Sequence, residues 1–212
     1  MLHYNTINAK TLELLKAIQR VDIFKNLRLV GGTALALQIG HRVSVDLDFF
    51  GNLEADNISV MQALNKIGDV KTIQNTENIH IYTINGIKVD IVNYPYPWLA
   101  PIVDQDGLCL AAVTDIAAMK LAAITGRGSK KDFIDIYVLL KQFSLYQLIE
   151  FYKQKYHDGS VFLVLRSLAY FDDADDELMP KLFKTLSWEV VKTSISEALK
   201  TYINNNADAN LD

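Results

Sequence analysis

The stretch GGTALALQIGHRVSVDLDFF, residues 31–50, constrains this chain more than any other. Its second half alternates Val45, Leu47 and Phe49 with Asp46, Asp48 and Phe50, which is the pattern of a β-strand. Residues i and i+2 of a strand point to the same face. Asp46 and Asp48 should therefore project together, with Val45, Leu47 and Phe49 packed behind them. Two carboxylates held that close repel, and in a partly desolvated place one pKa rises unless a cation intervenes. Oxygen ligands suit a hard cation, and Mg²⁺ typically uses one or two carboxylates plus substrate phosphates. The competing reading of a bare D-x-D is two solvated aspartates on an exposed sheet face.

The residues before this strand bear on that choice. LRLV, 27–30, reads as a short strand that Gly31-Gly32 interrupts. Thr33 is a candidate N-cap for a short helix ending at Gly40. A glycine pair between strand and helix can offer backbone N–H groups and the helix dipole to a phosphate. The alternative is a tight turn that Thr33 only caps.

Elsewhere, residues 8–20 and 53–67 carry helical spacing. HIYTIN (80–85) and IKVDIV (87–92) read as two strands joined at Asn85-Gly86, a strong hairpin signal because both central residues of a type I′ turn need positive φ. Asp90 lies on the second of them. If that strand neighbours the first, Asp90 completes a three-carboxylate cluster able to bind one or two Mg²⁺ ions and to deprotonate an attacking hydroxyl.

Three of the four prolines fall in NYPYPWLAP, which sets a domain boundary near 95–107, with domains expected at 1–100 and 101–212. Beyond it helices dominate, at about 114–126, 130–142, 145–156, 159–171 and 187–205. The acidic run DDADDE, 172–177, reads as a solvated inter-helix loop. The fold class is α+β: a mixed sheet with flanking helices, then a C-terminal helical bundle.

With 21 Lys and Arg against 25 Asp and Glu, the net charge is −4, which argues against a generic nucleic-acid coat. Net charge averages over the surface, so a local basic groove stays open. Lys120, Arg127, Lys130 and Lys131 in fact place four cations within twelve residues. TGRGSKKD is then a glycine-flanked basic turn suited to phosphate oxygens, or else a solvated connection between helices. The single cysteine, Cys109, excludes an internal disulfide and fits a reducing compartment. The N-terminus lacks a basic start followed by an apolar run, and no segment approaches the roughly 20 apolar residues that cross a bilayer. A cytoplasmic protein without membrane contact is expected.

GGT followed by HRVSVDLDFF resembles the first motif of the nucleotidyltransferase AbiEii/AbiGii toxin family, within the DNA-polymerase-β-like nucleotidyltransferase superfamily. DIAAMKLAAITGRGSKKDFIDIY, 115–137, is similar to the helical K…R…(K/R)D…D motif of that family. The resemblance spans roughly residues 28–140 with both motifs in order. It implies a nucleotidyltransferase fold with a triphosphate held by Gly31, Gly32 and Thr33. It implies Mg²⁺, with Mn²⁺ as a substitute, on Asp46, Asp48 and Asp90, the last also a base for the acceptor hydroxyl. Lys120 would contact triphosphate, Arg127 and Lys131 match basic positions, and Asp132 is the acid of the Lys-Asp pair. Asp135 matches too, in a catalytic or a packing role. Arg42, which the family tends to carry, would pair with phosphate or carboxylates unless it only shapes the turn.

The function so implied is transfer of a nucleoside monophosphate from an NTP to an acceptor hydroxyl. It would belong to the toxin of a type IV-like toxin–antitoxin or abortive-infection system, with tRNA as acceptor and a cognate antitoxin as partner. The chain is short for the family and net acidic, so a small-molecule, antibiotic-type acceptor or a protein acceptor is an alternative. A non-catalytic module that binds nucleotide or antitoxin is another, although every carboxylate of the pattern is present. A sugar transferase using D-x-D fits the acids but not the spacing from GGT to D-x-D.

Overall fold

A computed structural model describes residues 1–208, except the side chains of residues 127, 207 and 208. The chain divides into two compact units, Met1–Ala112 and Val113–Asp212. The boundary expected at 95–107 thus falls later, because residues 103–110 form a hairpin that belongs to the first unit.

The first unit is built on a seven-stranded mixed sheet in the order β3-β4-β5-β2-β1-β7-β6. The strands are β1 (Leu27–Val30), β2 (Leu47–Gly51), β3 (Val70–Asn75), β4 (Ile79–Ile84), β5 (Ile87–Asn93), β6 (Val103–Gln105) and β7 (Leu108–Leu110). Its helices are α1 (Ala9–Gln19), α2 (Gly31–Ile39) and α3 (Asn57–Asn65). Asn8 caps α1 by accepting from the Thr11 N–H at 2.8 Å, and Leu14, Leu15 and Ile18 form its buried stripe.

The β4–β5 hairpin turns where expected, with φ of 52° at Asn85 and 81° at Gly86. The β6–β7 hairpin, absent from the sequence reading, uses the same chemistry at Asp106 (φ 56°) and Gly107 (φ 73°). Period-2 alternation divides the sheet residues between two faces. Leu29, Leu47, Phe49, Val89 and Ile91 are all fully buried on one face. Each such side chain contributes about 1.5–3 kcal/mol when removed from water. Val45 does not join them: it precedes β2 and is 53% exposed, so the sequence pattern overran the strand at its start.

The second unit contains α4 (Val113–Arg127), α5 (Lys130–Leu139), α6 (Leu145–Lys155), α7 (Val161–Leu168), α8 (Asp172–Asp175) and α9 (Trp188–Asp208). Inside it, Lys155 on α6 pairs with Asp115 in the first turn of α4 at 2.7 Å, both side chains fully buried. The acidic run is solvated as expected, but it is not simply a loop. It forms α8 with Ala174 buried, and Asp175 accepts from Trp188 Nε1 at 2.6 Å and from Lys192 at 3.2 Å. These donors tie Asp175 to α9 while the aspartates of the run stay exposed.

Candidate active site

The acidic strand and the glycine pair meet at the start of α2. Thr33 is not the N-cap: α2 begins at Gly31, and Thr33 lies inside it, 1% exposed. Its hydroxyl donates to the Asp46 carbonyl and lies 2.9 Å from the Ser44 hydroxyl, so it ties α2 to the chain entering β2. A bulkier side chain at that buried position would displace the Asp46 backbone. Gly40 ends the helix in the left-handed conformation, φ 76°, as its position implied.

Each glycine of the pair has a particular neighbour. A Cβ on Gly31, whose φ is +66°, would come within 2.2 Å of Asp48 Oδ2. A Cβ on Gly32 would come within 2.3 Å of Arg42 Nη2. The glycines therefore give room to one carboxylate and one guanidinium. Arg42 is buried at 3% exposure, and its Nη1 donates to the Val43 carbonyl at 3.1 Å. Its charge is held against the first turn of α2, where an anion is also favoured by the helix dipole.

β2 pairs with β5 in parallel, with Asp48 directly opposite Asp90. The strand spacing sets their backbones about 4.8 Å apart. Both side chains lie on the half-buried face, opposite Leu47, Phe49, Val89 and Ile91. Asp46, just ahead of the strand, is also half-buried. Lys88, two residues before Asp90 on the same face of β5, donates to Asp90 Oδ2 at 2.6 Å. The other oxygen, Asp90 Oδ1, is buried and has no hydrogen-bond partner among the described residues. Partial burial works against the Lys88 charge, but Asp90, Asp48 and Asp46 outweigh it and hold its pKa above the ordinary lysine value.

A hard divalent cation fits part of this arrangement. Asp48 and Asp90 supply adjacent carboxylates, and Asp90 Oδ1 is a buried acceptor that lacks a donor. Among the described residues, however, no three His, Cys, Asp or Glu side chains converge into a ready metal-holding group. Two carboxylates with substrate phosphates are enough for Mg²⁺, and that is the set this face offers.

The basic motif lies in the second unit and is largely self-neutralised. Lys120 on α4 bridges Asp132 Oδ1 at 2.8 Å and Asp135 Oδ2 at 2.7 Å on α5, with 9% of its side chain exposed. Burial opposes ionisation of Asp132, but the Lys120 ammonium and the Ser129 hydroxyl outweigh it and hold that carboxyl below its usual pKa. The Ser129 N–H also donates to Asp132 Oδ2 at 3.3 Å, which closes the first turn of α5. Lys130 departs from the phosphate-facing reading. It is 5% exposed, donates to the Asp175 carbonyl at 3.1 Å and to the Glu177 carbonyl, and lies 5.1 Å from the centre of the Trp188 ring. Lys131 is exposed, and the Arg127 side chain lies outside the described residues.

Sequence reasoning passed over Lys88 and Ser44. Lys88 had a signal, since a cation two residues before a strand aspartate shares its face. Ser44 had none, because its contact with Thr33 depends on how the 40–46 segment folds back.

A family model described as nucleotidyl transferase AbiEii toxin, type IV toxin–antitoxin system, matches residues 13–201. The chain belongs to the AbiEii nucleotidyltransferase family. An uncharacterized protein of Aquifex aeolicus is 34% identical over 199 residues, covering 91% of this chain and 96% of that one. Among solved structures, MenT4, a nucleotidyltransferase toxin from Mycobacterium tuberculosis, superposes with a TM-score of 0.60 at 17% identity, over 89% of this chain and 80% of its own. JHP933 from Helicobacter pylori gives 0.56 at 18% identity, over 97% and 98%. At such identities the two structures speak for the shared fold. Family membership makes this AbiEii chain a nucleotidyltransferase. No helix among its described residues is long and apolar enough to cross a membrane.

Proposed function

We propose that the face bearing Asp48 and Asp90 is the catalytic face, where an acceptor hydroxyl takes a nucleoside monophosphate from an NTP. The observation that carries this reading is the register of Asp48 with Asp90 on adjacent parallel strands, with Gly31 against the Asp48 carboxylate. Asp48 and Asp90, with Asp46 at the edge, would hold Mg²⁺ or Mn²⁺. When bound, such an ion supplies charge neutralisation and Lewis acidity at the phosphoryl oxygens. The first turn of α2, opened by Gly31 and Gly32, receives the triphosphate, with Arg42 adding positive charge beside Gly32. Thr33 keeps the Asp46 segment in place. The hydroxyl oxygen forms a bond to the α-phosphorus as the α–β anhydride bond breaks. Pyrophosphate leaves, and the hydroxyl proton passes to Asp90.

In the helical unit, Lys120, Asp132 and Asp135 brace α4 against α5, and Arg127 and Lys131 are the basic positions assigned to phosphate. The acceptor we propose is the 3′ end of tRNA, in the toxin half of a type IV-like toxin–antitoxin pair with a cognate antitoxin. The net charge of −4 favours a second reading, a small-molecule acceptor.

Incubation with each α-labelled NTP and either total tRNA or an aminoglycoside, with Mg²⁺ or EDTA, separates these readings. EDTA-sensitive label on tRNA supports the toxin reading, and label on the aminoglycoside alone supports the second. Label transfer that survives Asp48→Ala would remove the acidic face as the catalytic one.

A further inference from the structure

We propose that Lys88 is a built-in counter-ion of the acidic face, which holds Asp90 in place before a divalent cation binds and competes with that cation for the carboxylates. The inference rests on the metal reading of Asp48 and Asp90 above and concerns a residue outside that ligand set.

The Lys88 ammonium lies 2.6 Å from Asp90 Oδ2, the only hydrogen-bond partner it has among the described residues. Its charge is also favoured at longer range by Asp48 and Asp46. Lys88 thus holds the Asp90 carboxylate in position before a cation arrives. The contact caps one Asp90 oxygen and leaves Oδ1 without a donor. A divalent ion recruiting Asp90 meets the ammonium at Oδ2 and either displaces it or binds against its repulsion.

Displacement is feasible because the Lys88 side chain is 42% exposed and has a flexible four-carbon stem that can carry the ammonium into water. Lys120 in the second unit is a useful contrast. It also bridges carboxylates, but its side chain is only 9% exposed, and it cannot leave without opening the helix pair. The two lysines therefore differ in kind: one is a fixed brace and the other an exchangeable cation.

The test measures Mn²⁺ binding without nucleotide, by electron paramagnetic resonance or calorimetry. It compares wild type, Lys88→Met, Lys88→Arg and Asp48→Asn, each checked for folding by circular dichroism. Removing one unit charge about 6 Å from a divalent ion, even at water-like dielectric, corresponds to roughly tenfold in affinity. Lys88→Met is expected to bind Mn²⁺ about tenfold more tightly than wild type, and Lys88→Arg to bind like wild type. Equal or weaker binding by Lys88→Met, with Asp48-dependent binding in wild type, overturns the inference and leaves the metal reading standing. Wild-type binding that is absent overturns this inference, and wild-type binding that is indifferent to Asp48→Asn overturns the metal reading with it.

A measurement on the unmodified chain guards against misfolded variants. Acetic anhydride labelling of Lys88, read by peptide mass spectrometry against exposed Lys71, should rise when Mn²⁺ is added. Unchanged or reduced labelling at saturating Mn²⁺ counts against displacement.

Discussion

The carboxylate of Asp48 occupies the space in which a side chain on Gly31 would lie: a Cβ there would come within 2.2 Å of Asp48 Oδ2. The glycine pair and the D-x-D strand, fifteen residues apart in sequence, are one structural feature. The atom in the way is the end of a side chain, so Asp48 can rotate aside at modest energetic cost. The metal-binding position proposed for it would not survive that rotation.

This contact separates stability from activity. Gly31→Ala also forces a non-glycine residue to φ +66°, which costs about 1 kcal/mol. We expect a fall in Tm of about 2–4 °C, with a loss of nucleotidyl transfer of roughly a hundredfold or more as Asp48 shifts. Thermal unfolding beside a label-transfer assay checks both. Equal activity in the variant would mean that Asp48 tolerates the shift.

Asp48→Asn and Asp90→Asn keep shape and remove charge. Metal-assisted charge stabilisation is worth several kcal/mol, so each should lower kcat/KM by roughly 10²-fold or more. Asp90→Asn should also lower Tm slightly, because it gives up the ion pair with Lys88. Steady-state kinetics with differential scanning fluorimetry would expose any variant whose lost activity is only lost folding.

The buried Lys155–Asp115 pair should show strong coupling. Lys155→Met alone removes the ammonium paired with a fully buried carboxylate and should cost about 3–5 kcal/mol. Adding Asp115→Leu should recover most of that loss, since a buried pair replaced by apolar residues is often near neutral. Urea unfolding of the two single variants and the double variant measures the coupling. Additive losses would argue against the pair as the cause.

Asp132 gives a pH dependence of defined sign. Its folded pKa is depressed by Lys120 and Ser129 despite burial. The stabilisation is therefore complete above the unfolded carboxyl value of about 3.9 and is lost as the pH falls through the lower folded value. Asp132→Asn should lower Tm at neutral pH and flatten the decline on acidification below about pH 4. Tm recorded from neutral to acidic pH checks this, and parallel curves for the two proteins would contradict it.

Local chemistry was legible wherever it depended on neighbours in the chain. Asn85-Gly86 specified its turn because only certain residues take positive φ at both centres, and the observed values agree. β3 was missed because VKTIQN is an edge strand with five of its six residues exposed, so no apolar alternation marks it. The β6–β7 hairpin was missed although Asp106-Gly107 carries the same turn signal, since its three-residue strands are too short to show a period. Lys130 and the acidic run were misread for a shared reason. Each looked like plain loop alone, and each is held by hydrogen bonds with groups more than ten residues away.

The sequence by itself determined which residues carry charge on an apolar framework, because strand period and turn chemistry are local properties. It placed Asp46 and Asp48 two apart, put Asp90 on the second strand of a hairpin, and set a glycine pair before a short helix. Only the tertiary structure decided which of these charges meet. The parallel pairing of β2 with β5 sets Asp48 opposite Asp90, the fold of α2 against β2 sets Gly31 against Asp48, and Lys88 reaches the carboxylates. Strand order and register are set by global packing of the sheet, and no local pattern encodes a neighbour forty residues away.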